Sequence, residues 1–243
     1  MNRDILGTFM LLAYYLIFCL TIPTFLKVVF ACPNELVRKM QHIAYSLSIF
    51  ILITQFTKWY FAVGAASILI ILGYPLLLIF EKSRFYSKFL VDRRKNGGEL
   101  RMQLLLVQLS FAVLILVFWG LLGEGTKYII PVGIMAWGFG DAAAAVFGKA
   151  FGKKVIKSPY VDGPKTYIGL HAMTITASLA IFLSLTFYMD LLWWKSLLIA
   201  AMIGPLCGII ELFSKKGSDT ITVPSVASFS IYFILRLFEW WGW

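Results

Sequence analysis

Three acidic residues in this chain stand in or beside long apolar runs, where an acid is costly. Asp141 lies within GFGDAAAAVFGKAFGK, the stretch from Gly138 to Lys153. A charged side chain at the centre of a membrane-spanning helix costs about 2.5–3.5 kcal/mol on insertion scales. Asp141 should therefore face a polar cavity, a cation or a partner, and not lipid. Gly138 and Gly140 expose backbone near it, and Ala142 to Ala145 let another helix approach closely. Glu211 and Asp219 belong to IIELFSKKGSDTITVP, with Pro224 expected in the first turn of the last helix. Asp141, Glu211 and Asp219 together would suit Mg²⁺, which takes a few carboxylates and completes its shell with phosphate oxygens. Glu211 also reads as an acid reaching for the interface, and Asp219 as a helix cap.

Cations gather near these acids in the sequence. Lys149, Lys153, Lys154, Lys157 and Lys165 follow Asp141, with Gly148, Gly152 and Gly163 between them. Lysines and flexible backbone at a helix end can hold phosphates; the same lysines also serve as orientation charge. Upstream, NELVRKMQHI sets Arg38 and His42 four apart, on one helical face with Lys39 beside them. That is a compact cationic patch or an interfacial anchor. In RRKNGGELR, Arg93 to Arg101, Gly97 and Gly98 break the chain and Glu99 falls in the first turn of a new helix, where a carboxylate is favoured. His171 reads as a packed, hydrogen-bonded histidine.

Several other chemistries are excluded. The string G-x-G-x-x-A at Gly138 has no strand before it and no βαβ unit around it, so it is not a dinucleotide site. Neither Gly148-Lys149 nor Gly152-Lys153 has the flanking residues of a Walker A loop. Cys19, Cys32 and Cys207 form no CxxC pair and read as small buried apolar residues.

The elements that must position these residues are membrane helices. Of 243 residues 60% are hydrophobic and 14% charged, against about 25% charged in a soluble domain. Eight segments approach the roughly 20 apolar residues a spanning helix needs: Ile5–Phe30, Ile43–Phe56, Trp59–Phe80, Met102–Leu122, Lys127–Phe147, Tyr167–Met189, Leu191–Phe213 and Val223–Trp240. The second is short. The first is too long for a signal-peptide core and lacks an A-x-A-like cleavage site. The expectation is an all-α polytopic membrane bundle, one domain over residues 1–243.

Seventeen of the 22 lysines and arginines fall in the first, third, fifth and seventh loops. They are Lys27, Arg38 and Lys39; Lys82, Arg84, Lys88, Arg93, Arg94, Lys95 and Arg101; the five lysines from Lys149 to Lys165; and Lys215 and Lys216. The positive-inside rule puts those loops in the cytoplasm and both termini outside. A net charge of +10 thus needs no nucleic-acid partner. The compact chain suits a prokaryotic cell membrane. The G-x-x-x-G spacing of Gly204 and Gly208 suits helix packing, including that of a homodimer.

Taken in order, these motifs resemble the polyprenol kinase family of dolichol kinase, phytol kinase and CTP-dependent diacylglycerol kinase, relatives of phosphatidate cytidylyltransferase. Arg38, Lys39 and His42 resemble its R-K-x-x-H, and Gly98, Glu99 and Leu100 its G-E-L. Gly140 to Ala145 and Gly148 to Lys153 resemble its G-D-A-x-A-A and G-[KR]-x-x-G-K. Glu211, Gly217, Asp219 and Pro224 resemble its late E…G-x-D-N-x-x-[VI]-P. Ile168 stands where the family often has an acid, and Thr220 where it usually has asparagine.

The resemblance implies transfer of the γ-phosphoryl group of CTP, or of another nucleoside triphosphate, to a lipid alcohol in the bilayer. It implies Mg²⁺ on Asp141, Glu211 and Asp219. Phosphates would be held by Lys149, Lys153 and Lys165 with Gly140, Gly148 and Gly152, and closed by Arg38 and Lys39. Asp141 and Lys165 would act on the reacting groups. Cytidylyl transfer to phosphatidate, giving CDP-diacylglycerol, is the nearest alternative. A small membrane transporter or lipid-binding protein is the non-enzyme one, but it predicts acids deep in several helices and internal repeats, and the acids here lie toward one face.

Overall fold

The computed structural model of the protein describes residues 2–83, 86, 91–92, 97–215 and 217–242. Of the residues read above as orientation charge, Arg84, Lys88, Arg93, Arg94, Lys95 and Lys216 lie outside the described residues.

Among the described residues, eight helices are long and apolar enough to cross a membrane. They are α1 (Arg3–Val29), α2 (Asn34–Thr54), α3 (Trp59–Glu81), α4 (Glu99–Leu121), α5 (Glu124–Phe151), α6 (Tyr167–Tyr188), α7 (Trp193–Phe213) and α8 (Asp219–Trp240). The protein is an all-α, multi-pass membrane protein. It divides into two compact units, Met1–Leu121 and Leu122–Trp243.

In the first unit, Leu11, Ile49, Leu52, Ile53, Phe111 and Phe118 form a buried apolar core. Two ties fix the start of α1. The Asp4 carboxylate accepts from the Thr57 backbone N–H at 2.7 Å and from its hydroxyl, and Arg3 donates to the Thr54 carbonyl at 2.6 Å. Within α1, Tyr15–Thr21 is π-helical. Pro23 then has no N–H for the Cys19 carbonyl; the Gln41 side chain of α2 donates to it instead, at 2.9 Å.

The second span departs most from expectation. The polar stretch NELVRKMQHI is helical, as its spacing suggests, but it is the first half of a 21-residue span and not a patch ahead of one. Arg38, Lys39, Gln41 and His42 turn inward and are buried. Polar side chains can enter a span when the bundle supplies their partners, and here it does. Arg38 pairs with Glu35 one turn away and reaches Glu99 of α4 at 3.8 Å. His42 Nδ1 lies 3.2 Å from the Gln103 amide. Deeper in the unit, Tyr15 bridges Ser48 and Gln108. The α4 entry is as expected: Gly97 and Gly98 have φ of 74° and 96°, which favours glycine, and Glu99 occupies the first turn. The Asp92 carboxylate caps that helix, accepting from the Glu99 N–H at 3.0 Å and from the Tyr86 hydroxyl at 2.8 Å.

The second unit is a closed ring of four helices, in which α5 packs on α6 and α8, and α7 packs on α6 and α8. Small residues let them meet closely. Gly140 faces Met173 and Ala177 of α6, Gly204 faces Ser178, Gly208 faces Thr174, and Gly133 faces Ser228 of α8. The Gly204/Gly208 spacing thus serves packing inside the chain. Cys19 and Cys207 are buried and Cys32 partly so. Pro224 is a correction: α8 starts at Asp219, so Pro224 lies inside the helix and not in its first turn. Its ring replaces an N–H within a span where Ser228 and Gly133 pack around it. His171 is exposed rather than packed.

Candidate functional site

The second unit brings Asp141, Lys165, Glu211 and Asp219 toward one end of its ring, and helix direction explains why. Glu211 is in the last turn of α7, and Asp219 opens α8 after the turn at Gly217, whose φ is 84°. Lys165 stands two residues before α6 begins, next to the N-cap Thr166. In α5 the helix continues to Phe151, further than the apolar pattern alone suggests. Asp141 therefore sits well inside α5, with Lys149 two turns on along the same face.

Trp137 lies one turn before Asp141, and its indole N–H donates to Asp219 Oδ2 at 3.2 Å. This bond holds the first turn of α8 level with the turn of α5 that carries Asp141. Asp141 and Asp219 both act electrostatically on Glu211, so the three carboxylates form one acidic neighbourhood. Lys165 answers it. Its ammonium lies 2.9 Å from Glu211 Oε1 and also donates to the Glu211 carbonyl and, at 3.4 Å, to the Ser214 carbonyl. Those are among the last carbonyls of α7, where a cation is favoured. Asp141, Glu211 and Asp219 are all partly accessible.

The connection from α5 to α6 is a short hairpin. The Ile156 N–H donates to the Lys165 carbonyl at 2.8 Å and the Tyr167 N–H to the Lys154 carbonyl at 3.3 Å. That pairing fixes Lys165 on one limb and puts Lys153, Lys154 and Lys157 on the other, all three exposed. Lys149 is exposed at the end of α5. At its base the Thr166 hydroxyl caps α6 by accepting from the Gly169 N–H at 3.1 Å. Gly148 and Gly152 both lie against Thr166, and Gly148 also meets Gly169. These two glycines and Gly140 let α5 and the start of α6 meet closely.

Carboxylates and ammonium groups gather at this end of the unit, where α6 and α8 begin. Among the described residues no group of three His, Cys, Asp or Glu side chains is placed to hold a metal ion unaided. Lys165 is paired with Glu211, and Asp219 accepts from the Trp137 indole. One or two carboxylates with substrate phosphates is the usual Mg²⁺ environment, so these residues fit that ion when a phosphate completes its shell.

Arg38 and Lys39 belong to the first unit. Both are buried, and Arg38 is flanked by Glu35 and Glu99. Trp137 and Gln103 went unnoticed in the sequence, although each lies one turn from a residue singled out there, Asp141 and Glu99 respectively. No protein-family model matches the chain, and no curated protein or solved structure matches it.

Proposed function

We propose that this protein is a lipid-alcohol kinase that uses CTP, or another nucleoside triphosphate, in the manner of the polyprenol kinases its motifs resemble. The observation that carries the reading is the acidic neighbourhood of Asp141, Glu211 and Asp219, closed by Lys165 and bordered by the exposed lysines of the α5–α6 hairpin. Phosphoryl transfer asks little of a protein beyond positioning and charge neutralisation. Lys149 and Lys153 would hold phosphate oxygens. Asp141 and Asp219 would hold Mg²⁺, which neutralises triphosphate charge when bound. Lys165, anchored on Glu211, keeps that carboxylate in place. Asp141 accepts a hydrogen bond from the attacking hydroxyl and orients it. The lipid oxygen bonds to the γ-phosphorus as the bond to the β-phosphate oxygen breaks and the hydroxyl proton passes through Asp141 to solvent, giving a lipid phosphate, CDP and a proton.

The positive-inside rule assigns the lysine-rich end to the cytoplasm, where the nucleotide is, and both termini to the outside. We read the host as a prokaryotic cell membrane. The test uses the full-length protein in mixed micelles with Mg²⁺ and γ-labelled CTP, offered prenols, diacylglycerol and phosphatidate. Label in one lipid alcohol is the expected result. Label only in pyrophosphate, dependent on phosphatidate, would replace the kinase with a cytidylyltransferase. No label in either product would remove both.

A further inference from the structure

The hairpin between α5 and α6 carries two lysines that the site above does not use, Lys154 and Lys157. Backbone bonds set its level relative to the bilayer. The Tyr167 N–H donates to the Lys154 carbonyl and the Ile156 N–H to the Lys165 carbonyl, and Val155 faces Thr166 across an antiparallel bridge. Tyr167 is the first residue of a spanning helix. Lys154 and Val155 therefore lie level with the point where α6 enters the membrane. The other limb gives the same level, since α5 ends at Phe151 and Lys154 follows three residues later.

The base of the hairpin is apolar as well as cationic. Successive residues of an extended limb point to opposite sides. Ile156 is partly buried, whereas Val155 is 44% exposed. In the last turns of α5, Phe147 and Phe151 stack with ring centroids 6.1 Å apart, and both are exposed, as is Tyr167. Aromatic side chains gather at the membrane–water interface. A lysine at that level lays its stem on apolar surface and keeps its ammonium among the head groups.

Charge selects the kind of lipid. Between Gly152 and Thr166 stand four lysines and one acid, Asp162. Lys154 and Lys157 are exposed. Apolar contact alone suits any lipid, but an excess of ammonium groups at this level favours an anionic head group. The tip is already ordered, with Pro159 and Pro164 in it and a turn closed by the Val161 N–H on the Ser158 carbonyl at 3.2 Å, so contact costs little further ordering.

We infer that the α5–α6 hairpin docks on anionic phospholipid head groups of the leaflet it faces, through Lys154 and Lys157, with Val155 as its apolar contact. The inference is independent of the kinase reading. Docking steadies the limb that carries Lys165, the cation that holds Glu211.

The experiment uses the full-length protein with its native cysteines replaced and a nitroxide on Val155→Cys, whose apolar ring takes the place of the isopropyl group. The protein is placed in nanodiscs of phosphatidylcholine, alone or mixed with phosphatidylglycerol. Electron paramagnetic resonance reads the access of oxygen, which concentrates in the bilayer, and of a nickel chelate, which stays in water. In the mixed discs oxygen access should rise and nickel access fall, and high salt should reverse both. A lysine at an anionic surface changes occupancy roughly fivefold, so Lys154→Gln with Lys157→Gln should lower the ratio of docked to free hairpin about 25-fold and restore the values of the neutral discs. Lys215→Gln removes an exposed charge from the turn between α7 and α8 and should leave the shift intact. Equal access in the two kinds of disc, a shift that survives the double substitution, or one that Lys215→Gln abolishes would overturn the inference. So would a shift that inorganic pyrophosphate abolishes at matched ionic strength, since the two lysines would then serve a soluble phosphate.

Discussion

Asp141 and Lys165 play different parts, and their substitutions should separate them. Asp141→Asn keeps size and polarity but loses the charge, so turnover should fall on the order of 10²-fold or more while the protein elutes and melts as wild type. Turnover within a few-fold of wild type would remove Asp141 from the mechanism. Lys165 is first of all a structural cation, holding Glu211 and the end of α7. Lys165→Met leaves a partly buried carboxylate without its ion pair and should cost on the order of 2–3 kcal/mol. Adding Glu211→Gln should recover much of that stability in a double-mutant cycle, read by thermal unfolding in micelles, without restoring turnover. The acids and lysines were legible in the sequence because their chemistry does not suit their apolar surroundings. Trp137 was not, since an aromatic residue in a membrane helix looks like any other until its N–H is seen on Asp219. The pairing of Lys165 with Glu211 was equally hidden, because 46 residues separate them and only the ring of helices brings them together.

At the level of elements, glycine separates positions that packing needs from positions it does not. A methyl group on Gly204 would approach the Ser178 Cβ at 2.8 Å and Cα at 3.0 Å, whereas one on Gly64 of α3 would meet nothing within 4 Å. Gly204→Ala should therefore destabilise the α6–α7 contact by about 1–3 kcal/mol. Gly64→Ala should stabilise by up to about 1 kcal/mol through helix propensity alone. Unfolding of the two variants under identical detergent conditions distinguishes them. Seven of the eight spans were legible to within about four residues, since a run of some 20 apolar residues is a strong signal. The exception, α2, shows the limit of hydropathy. It scores Arg38, Gln41 and His42 as though each faced lipid, and their partners on α1 and α4 lie more than 20 residues away in sequence.

Across the whole molecule, the proposed orientation makes a direct prediction. With the native cysteines replaced, Tyr160→Cys in the α5–α6 hairpin should react with a membrane-impermeant thiol reagent only from the cytoplasmic side. Gly125→Cys at the start of α5 should react only from the other. Both positions are exposed, so the reverse pattern would invert the topology and take the lysine-rich end away from cytosolic nucleotide. The inward-facing polar side of α2 also bears on biogenesis. An isolated α2 presents Arg38, Lys39 and His42 to the insertion machinery before α4 has been made, and the α4 partners Glu99 and Gln103 emerge some 60 residues later in translation. Its membrane entry should therefore be conditional on its neighbours. A nascent chain stopped at residue 98, tagged with glycosylation sites on either side of α2, should integrate that segment only in part, and extension through Leu121 should raise its integration.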